Sequence, residues 1–487
     1  MYDCVVIGSG FGGLSTAFRL SEKNKKVLLC ESLKYPGGCA STFEKKGLNF
    51  EAGATLFSGF GEEQLFTKWK SKYDMPVQFV PLSPTVLFRC DGTNISVYPD
   101  REKTISQFCS LPNAPQKSIK QFFAYQKKIA DILWPVFDDP RRLPPFSLYG
   151  LWWHLMRSWR YFSLLPIINT PLIKVLQKYN LHEFQPLLKY CNALCQITIQ
   201  TDIHKAESPF ALCTMDYIFR GTGHIQGGIG TLAKAMVKQI ENMGGTIQMP
   251  ARVKRLEKSA EGWNVYIRKE KIATRTVVAN ILPSGLEKLL PDSPLPPTEK
   301  NMQNSVEKGW GAVMLYLIIK DDLSLPRHPH HIQCVGDSLA PFQDGNHIFC
   351  SLGGAGENTD PKKRTATVST HISIEEYTNH SDVAIQVAKI QEKMKQLIHE
   401  KIPELVPHIL EYIPGSPRTF ARFTSRKDGC VGGIPRHVGW HNYKGLWPRQ
   451  VHPNLWLVGD SVFPGQSTLS TAVGGARTAN EVLRWLS

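Results

Sequence analysis

Features of a membrane-spanning or secreted protein are scarce in this sequence. Its 487 residues contain no uncharged apolar run of 18 residues, so we expect no transmembrane helix. The first apolar run starts at Met1, which leaves no room for a signal peptide. The eleven cysteines have no paired spacing, which favours reduced thiols over disulfides. We therefore expect a cytoplasmic protein, either free or attached to the cytosolic side of a membrane.

Signals for nucleic acid and for metal are also weak. No zinc-finger spacing, nucleic-acid module or long lysine run is present, although the formal net charge is +15. We therefore expect no nucleic-acid partner, and the charge is consistent with an anionic membrane surface or simply with a basic proteome. The stretch HPHH at 328–331 has no second ligand cluster, so we expect a solvated loop there and no metal site.

A glycine-rich loop follows the first apolar run. Residues 2–7, YDCVVI, predict a buried parallel strand, and GSGFGG at 8–13 precedes a stretch with helical spacing. Gly8 permits a tight turn, Gly10 lets the backbone approach a pyrophosphate, and Gly13 allows a helix to pack closely on the strand. The free N–H groups at the helix start would face the phosphates. The loop residues predicted to bind a dinucleotide are Gly8, Gly10, Phe11, Gly12 and Gly13.

A carboxylate follows the second apolar run. Glu31 ends the strand pattern of 26–30, about 20 residues after Gly8, where a carboxylate accepts both ribose hydroxyls of an adenosine. A second glycine pair at 37 and 38 and a Gly-Ala loop at 53 and 54 come next. Plain nicotinamide dehydrogenases have no need for these loops. The pattern therefore favours a longer cofactor that lies across the strand ends.

The first 60 residues resemble a known flavoprotein family. The stretches GSGFGG, CES, YPGGCAS and FEAGATLFSG are similar to those of the phytoene desaturase, carotenoid isomerase and retinol saturase family, within the amine oxidase and Rab-escort superfamily. Cys39 stands where that family commonly has an arginine. The resemblance implies FAD as the cofactor and a contact from the backbone of Val253. It also implies cofactor contacts from the loop residues Gly37, Gly38, Ser41, Thr42, Gly53, Ala54 and Thr55.

The chain ends on a second glycine-rich stretch. NLWLVGD predicts a short buried strand ending at Gly459 and Asp460, and a small-residue loop leads through Ser467 and Thr468 into an amphipathic helix. By itself this pattern admits either a second nucleotide or the other half of one extended cofactor. The resemblance implies the second, with Asp460 on the ribityl-phosphate portion of FAD and the helix start at the pyrimidine edge.

Length and composition favour more than one domain. A chain of this length with 42% hydrophobic residues is expected to form two or three cores. The resemblance implies an α/β fold, with a Rossmann-like FAD-binding domain of the glutathione-reductase-2 type and an inserted, mixed α+β substrate domain. The first is expected to comprise 1–85, 219–295 and 413–487, and the second 86–218 and 296–412.

One aromatic and basic stretch is typical of an interface with lipid. Within 138–178, rings alternate with cations, an arrangement suited to the depth of lipid headgroups. The same rings could line a substrate cavity, and both interpretations stay open. The residues are Trp152, Trp153, Trp159, Tyr161 and Phe162, beside Arg157, Arg160 and Lys174.

The resemblance implies an FAD-dependent oxidoreductase that acts on a long apolar polyene, a carotenoid or other isoprenoid. Desaturation by hydride transfer to flavin N5 is the first expectation, and the alternatives are a redox-neutral cis–trans isomerase or a retinol saturase-like enzyme. A flavin-free prenyl-binding protein of the Rab-escort type is disfavoured by the intact dinucleotide loop. An amine oxidase would need an amine cage that the sequence does not reveal. No catalytic side chain is identified, because neighbouring double bonds already activate an allylic C–H, and the sequence gives no oligomeric state.

Overall fold

Twenty strands form two large sheets and two small ones in the computed structural model, which describes residues 1–487. In chain order the strands are β1 (Tyr2–Ile7), β2 (Val27–Cys30), β3 (Thr42–Lys45), β4 (Leu48–Glu51), β5 (Phe57–Ser58), β6 (Phe79–Pro81), β7 (Val86–Cys90), β8 (Thr93–Val97), β9 (Thr222–Ile225), β10 (Thr246–Gln248), β11 (Val253–Ser259), β12 (Gly262–Ile267), β13 (Glu270–Ala279), β14 (Trp310–Lys320), β15 (His330–Val335), β16 (His347–Leu352), β17 (Lys363–Ser373), β18 (Ile409–Gly415), β19 (Arg449–His452) and β20 (Leu455–Leu457).

Seventeen α-helices connect and cover these sheets. In chain order they are α1 (Phe11–Ser21), α2 (Leu65–Tyr73), α3 (Arg101–Cys109), α4 (Gln116–Phe137), α5 (Leu148–Leu155), α6 (Ser158–Tyr161), α7 (Leu172–Lys178), α8 (Gln185–Ile199), α9 (Ser208–Thr214), α10 (Ile229–Asn242), α11 (Pro283–Leu289), α12 (Pro297–Glu307), α13 (Ile374–Asn379), α14 (Val383–Lys401), α15 (Pro417–Thr424), α16 (His441–Lys444) and α17 (Thr468–Leu486). None of them combines the length and apolar character that crossing a bilayer requires.

The first large sheet has eight strands and a parallel centre. The strands β10, β2, β1, β13 and β20 run parallel to one another in that order. The strand β2 and the last four residues of β1 are apolar and buried because both faces of the sheet are covered. The helices α1, α10 and α17 pack on one face, and α11 and α12 pack on the other. This arrangement confirms the predicted α/β, Rossmann-like fold.

An antiparallel layer formed by β11, β12 and the start of β13 is part of this same sheet. The first half of β13 pairs antiparallel with β12, and its second half pairs parallel with both β1 and β20. One long strand therefore joins the antiparallel layer to the centre of the Rossmann-like sheet. Its carboxyl end consequently lies between those of β1 and β20.

The second large sheet has seven strands in the order β18-β14-β17-β16-β15-β7-β8. Its β7 and β15 pair in parallel although they lie far apart in the chain, with Leu87 opposite Ile332. The helix α14 covers one face, while α4, α8 and α9 share a core with the β7 end. We propose that this sheet and its helices are the inserted domain formed by 86–218 and 296–412.

Contacts between the two sheets run through the segment around β4. The Tyr316 hydroxyl donates to the carbonyl oxygen of Ala52 at 2.8 Å, and the Thr365 hydroxyl donates to that of Asn49 at 2.7 Å. The face of the second sheet opposite α14 therefore lies over β4 and the loop that follows it. This is the loop in which Gly53, Ala54 and Thr55 were predicted to contact a cofactor.

Candidate cofactor and substrate site

Parallel strands of the first sheet end together at one edge. Gly8 follows β1, Glu31 follows β2, Asn280 follows β13, and Gly459 lies two residues beyond β20. In open α/β sheets, ligands bind in the crevice outside the carboxyl ends of such strands. The sequence-predicted residues from both ends of the chain are therefore brought to one crevice.

The first glycine loop has no room for side chains. A Cβ at Gly13 would lie 2.0 Å from the carbonyl oxygen of Gly8, and one at Gly10 would lie 2.6 Å from Asn280 Nδ2. Gly8 itself has a φ of +91°, which an L side chain would strain. The Phe11 ring packs into an aromatic cluster with Phe57, so only its backbone can face a cofactor.

The Glu31 carboxylate is held beside that loop. It accepts hydrogen bonds from the Ser9 N–H and the Ser9 hydroxyl, both at 2.7 Å, and from the Leu33 N–H at 2.8 Å. The Glu31 N–H donates to the carbonyl oxygen of Gln248 at 3.0 Å, which brings the end of β10 alongside. Val253 begins β11 a few residues later, so its backbone lies near this corner of the crevice.

The second glycine loop lies against the first. The Gly37 N–H donates to the carbonyl oxygen of Ser9 at 2.9 Å, and the Ser41 hydroxyl donates to that of Gly38 at 2.8 Å. Thr42 has a different role, because its hydroxyl accepts from the Gly230 N–H at 2.8 Å and so anchors the start of α10. Ser41 thus shapes the loop, whereas the Thr42 side chain is engaged within the protein.

The C-terminal stretch closes the same crevice. Gly459 has a φ of +120°, and the Asp460 carboxylate lies 2.9 Å from Arg426 Nη2. Ser467 caps α17 by accepting from the Ser470 N–H at 3.0 Å, while the Thr468 hydroxyl donates to the Ser58 carbonyl oxygen at 3.4 Å. This helix start and that of α1 both present free N–H groups at this side of the sheet.

Direct contact joins the two glycine-rich ends of the chain. A Cβ at Gly475 would lie 2.1 Å from the carbonyl oxygen of Gly12, and one at Gly12 would lie 3.3 Å from the Gly459 nitrogen. The helices α1 and α17 can cross this closely only because both carry glycine at the crossing. The geometry therefore favours one extended site over two separate nucleotide sites.

Sequence reasoning missed two residues of the crevice. The Asn280 amide is surrounded by Gly8, Gly10, Gly12 and Gly459, and the only signal for it was a polar residue directly after an apolar run. Arg426 lies between Asp460 and the loop containing Cys39. It belongs to the stretch 418–435, which resembles a family segment close to the cofactor, but its side chain was not among the predicted site residues.

The largely buried guanidinium of Arg426 thus lies near Cys39, which stands where the family commonly has an arginine. Burial raises the pKa of the Cys39 thiol, and the nearby Arg426 partly opposes that rise. Burial lowers the pKa of Arg426, but the Asp460 carboxylate together with the Cys39 and Cys430 thiols outweighs that effect, so the net pKa is raised and the guanidinium stays charged.

The third loop contacts the second sheet. Thr55 accepts a hydrogen bond from the Ser351 hydroxyl at 2.6 Å, and Ser351 Oγ lies 2.8 Å from His331 Nδ1. Gly53 packs against the Cys39 carbonyl, and Ala54 is exposed. The solvated loop predicted for HPHH is wrong at its last two residues, because His330 and His331 begin β15 and His331 is buried.

Comparisons with known proteins agree with this geometry. Residues 6–70 match the family model of the NAD(P)-binding Rossmann-like domain. Prolycopene isomerase 1 of an Oncidium hybrid cultivar is 26% identical over 99% of this chain and 84% of its own length. The all-trans-retinol 13,14-reductase of Danio rerio is 23% identical over 99% of this chain and 86% of its own length. The lycopene-forming phytoene desaturase of Pantoea ananas is 27% identical over 53% of this chain and 50% of its own length.

Solved structures share the fold over the whole chain. Putrescine oxidase, 12% identical, superposes with a TM-score of 0.63 over 99% of both chains. A fatty acid isomerase from P. acnes, also 12% identical, gives 0.61 over 100% of this chain and 99% of its own. The chain is therefore a homologue of prolycopene isomerases, phytoene desaturases and a retinol reductase, which confirms the family resemblance predicted from its first 60 residues.

Proposed function

We propose that this protein is an FAD-dependent oxidoreductase whose substrate is a long apolar polyene, a carotenoid or other isoprenoid. The observation that carries the proposal is the contact between the two glycine-rich ends of the chain. This contact places both glycine-rich stretches in one crevice, where each could bind one half of a dinucleotide. Glycines with no room for a Cβ and a carboxylate beside them match the demands of pyrophosphate and ribose. The residues present therefore fit FAD.

Each part of the crevice would hold a different part of the cofactor. The loop 8–13 and the start of α1 would bind the pyrophosphate, and Glu31 would bind the adenosine ribose. Asp460 would bind the ribityl portion, and the positive end of α17 would lie at the pyrimidine edge. When bound, the flavin supplies hydride chemistry at N5. The protein positions the substrate carbon and excludes water, so few acid or base side chains are required.

Desaturation and isomerisation both suit this arrangement. Desaturation was the first expectation, and the similarity to a phytoene desaturase supports it. Isomerisation is the second candidate because similarity to the prolycopene isomerases extends over 99% of the chain, against 53% for the desaturase. Saturation, as named for the retinol reductase, needs the same cofactor and the same hydrophobic access.

Anaerobic incubation of the flavin-loaded protein with acyclic carotenoid precursors and their cis isomers would separate these reactions. Flavin bleaching with a longer polyene chromophore indicates desaturation. An isomer shift that requires pre-reduced flavin indicates isomerisation. Failure to bind any flavin after reconstitution would contradict the oxidoreductase proposal and favour a prenyl-binding protein.

We further propose that the helices α5 and α6 bind an anionic membrane surface, from which such a substrate is drawn. Large apolar side chains there are open to solvent, with Leu148 87%, Leu155 71% and Trp159 65% exposed. Arg157 stacks on the Trp153 ring at 4.5 Å, and Arg160 on that of Trp159 at 5.2 Å. Apolar groups interleaved with cations suit the headgroup region of a bilayer.

Flotation with vesicles tests this surface. The double variant Leu148→Ser with Trp159→Ser should lose binding to anionic vesicles, whereas Leu339→Ser, which removes an equally exposed leucine elsewhere, should retain it. Equal flotation of both variants, or no binding by the unmodified protein at low salt, would contradict the membrane proposal.

A further inference from the structure

An arginine-lined cavity lies beside the start of α5. Its volume is about 250 Å³, which is smaller than the cavities that hold drug-sized ligands. Four of the residues that line it are arginines, and Glu481 is the only acidic one. The arginines are Arg19, Arg141, Arg477 and Arg484. An excess of positive charge around a small cavity favours a small anionic group.

The helix α17 provides one wall of this cavity. Arg477, Glu481 and Arg484 follow one another at helical spacing, so they lie along one face of α17. Asn480 of the same helix accepts a hydrogen bond from Arg19 Nε at 3.1 Å, which brings α1 to the cavity. Arg484 Nη1 lies 3.4 Å from the carbonyl oxygen of Pro145, which brings the segment before α5. Three separate parts of the chain therefore enclose the arginines.

One of these arginines has no carboxylate partner. Arg477 is 2% exposed, and its Nε is buried without a hydrogen-bond partner. Its Nη2 donates to the carbonyl oxygen of Phe463 at 2.8 Å, while the nearby Glu481 pairs with Arg484 at 3.3 Å. Burial lowers the pKa of Arg477 to about 9, and Glu481 only partly opposes that effect. The guanidinium is therefore still charged near pH 7 without a neutralising group.

The other arginines can turn towards an anion at little cost. Arg141 and Arg484 have exposed side chains, and Arg141 pairs with Asp139 at 2.7 Å. Arg19 pairs with Glu22. Exposed ion pairs of this kind contribute little to stability, so they compete weakly with a ligand. Neither Asp139 nor Glu22 lines the cavity, which leaves its interior positive.

The cavity adjoins the apolar surface proposed to meet a membrane. Ser147 lines the cavity and also caps α5 by accepting a hydrogen bond from the Gly150 N–H at 3.1 Å. The next residue, Leu148, is exposed, as are Leu151 and Trp152 one turn further along. An amphiphile with its anionic group in the cavity could therefore lay its chains on α5.

We propose that this cavity binds the phosphate of a phosphomonoester lipid, of the phosphatidic acid type, whose acyl chains lie along α5. A phosphomonoester carries a charge of about −1.5 to −2 and has three acceptor oxygens. Planar guanidinium groups bind such oxygens in pairs. A phosphodiester headgroup has one charge and two free oxygens, so the arginines should discriminate against it. Such a site depends on the proposed membrane surface, to which it adds selectivity for one headgroup.

Flotation with vesicles of matched charge tests this selectivity. One set contains phosphatidic acid and the other phosphatidylglycerol, both adjusted to the same zeta potential. We expect the flavin-loaded protein to bind the phosphatidic acid vesicles at least about 10-fold more tightly. This preference should persist in millimolar inorganic phosphate, because contacts of the chains with α5 add to the affinity for the lipid. Loss of the preference in phosphate would overturn the lipid site and assign the cavity to free phosphate.

Two matched double variants test whether the preference arises in the cavity. Arg141→Gln with Arg484→Gln removes two exposed arginines of the cavity and should make binding to the two lipids equal. Arg255→Gln with Arg327→Gln removes the same charge from two exposed ion pairs elsewhere and should keep the preference. An unchanged preference in the first variant, or equal binding of both lipids by the unmodified protein, would overturn the lipid site. Binding to neither vesicle would overturn the proposed membrane surface as well.

Discussion

Replacing Gly475 by alanine tests whether the close crossing of α1 and α17 holds the two halves of the cofactor site together. The added Cβ would lie 2.1 Å from the carbonyl oxygen of Gly12, a backbone atom that no rotamer change can move. The helices would have to separate by about 1 Å to restore van der Waals contact. Because Gly12 lies in the predicted pyrophosphate loop, that separation should also disturb the cofactor site.

The expected magnitude follows from two opposing effects. Overpacking of this kind costs about 1–3 kcal/mol or more, whereas alanine in a helix interior regains about 1 kcal/mol relative to glycine. Because the overlap is with a backbone atom, the upper part of the overpacking range applies. We therefore expect the free energy of unfolding to fall by about 1–2 kcal/mol, and the affinity for FAD to fall with it.

Gly285 provides the matched control for this substitution. It lies in α11, and the nearest atom to its added Cβ is 3.6 Å away, so Gly285→Ala should stabilise by about 0.5–1 kcal/mol. Urea unfolding followed by tryptophan fluorescence, with and without FAD, measures both variants. Unchanged or increased stability of Gly475→Ala together with normal flavin affinity would refute the reasoning.

Three further predictions concern the crevice and its surroundings. Asn280→Asp places a negative charge among the glycines expected to hold the pyrophosphate, so the dissociation constant for FAD should rise at least about 10-fold. Asn280→Ser should have a smaller effect. Equal FAD titration curves for the two variants would contradict this role of Asn280. Glu31→Ala should weaken FAD binding by about 1.5–3 kcal/mol, because charge-assisted hydrogen bonds to the ribose are lost. FMN binding should stay unchanged because FMN has no adenosine. Equal losses of affinity for FAD and FMN would argue against the assigned orientation of the cofactor. Burial raises the pKa of Glu51 from its usual 4.5 to about 8. Between these pH values the folded state holds a proton that the unfolded chain releases, so the free energy of unfolding falls as pH rises. Glu51→Gln should remove at least about 1 kcal/mol of that fall, measured as the difference in unfolding free energy between pH 5 and pH 8.

Local sequence predicted the tight glycine turns because close backbone approach is a local requirement. The turn after β1 needs glycine at Gly8, Gly10 and Gly13 wherever the rest of the chain lies, and the structure shows why at each position. The carboxylate at Glu31 is likewise fixed by the strand that precedes it. Such short-range requirements leave a pattern that can be read without knowing the fold.

Contacts between distant parts of the chain could not be predicted from the sequence, because they depend on how the strands pair. Arg426 reaches Asp460 from a segment without regular periodicity, and Asn280 enters the crevice only because β13 pairs with both β1 and β20. The stretch HPHH was predicted to be a solvated loop because no second ligand cluster accompanies it, yet pairing with β16 buries its last histidine.

The sequence by itself determined a Rossmann-like segment at its start and an acidic residue suited to an adenosine ribose. It also determined a glycine-rich stretch near its end, where the backbone can again approach other groups closely. Only the tertiary structure decided that both ends meet in one crevice, since the contact between Gly12 and Gly475 joins residues from opposite ends of the chain. It also buried His331, because β15 pairs with β16, and no local pattern predicts that pairing.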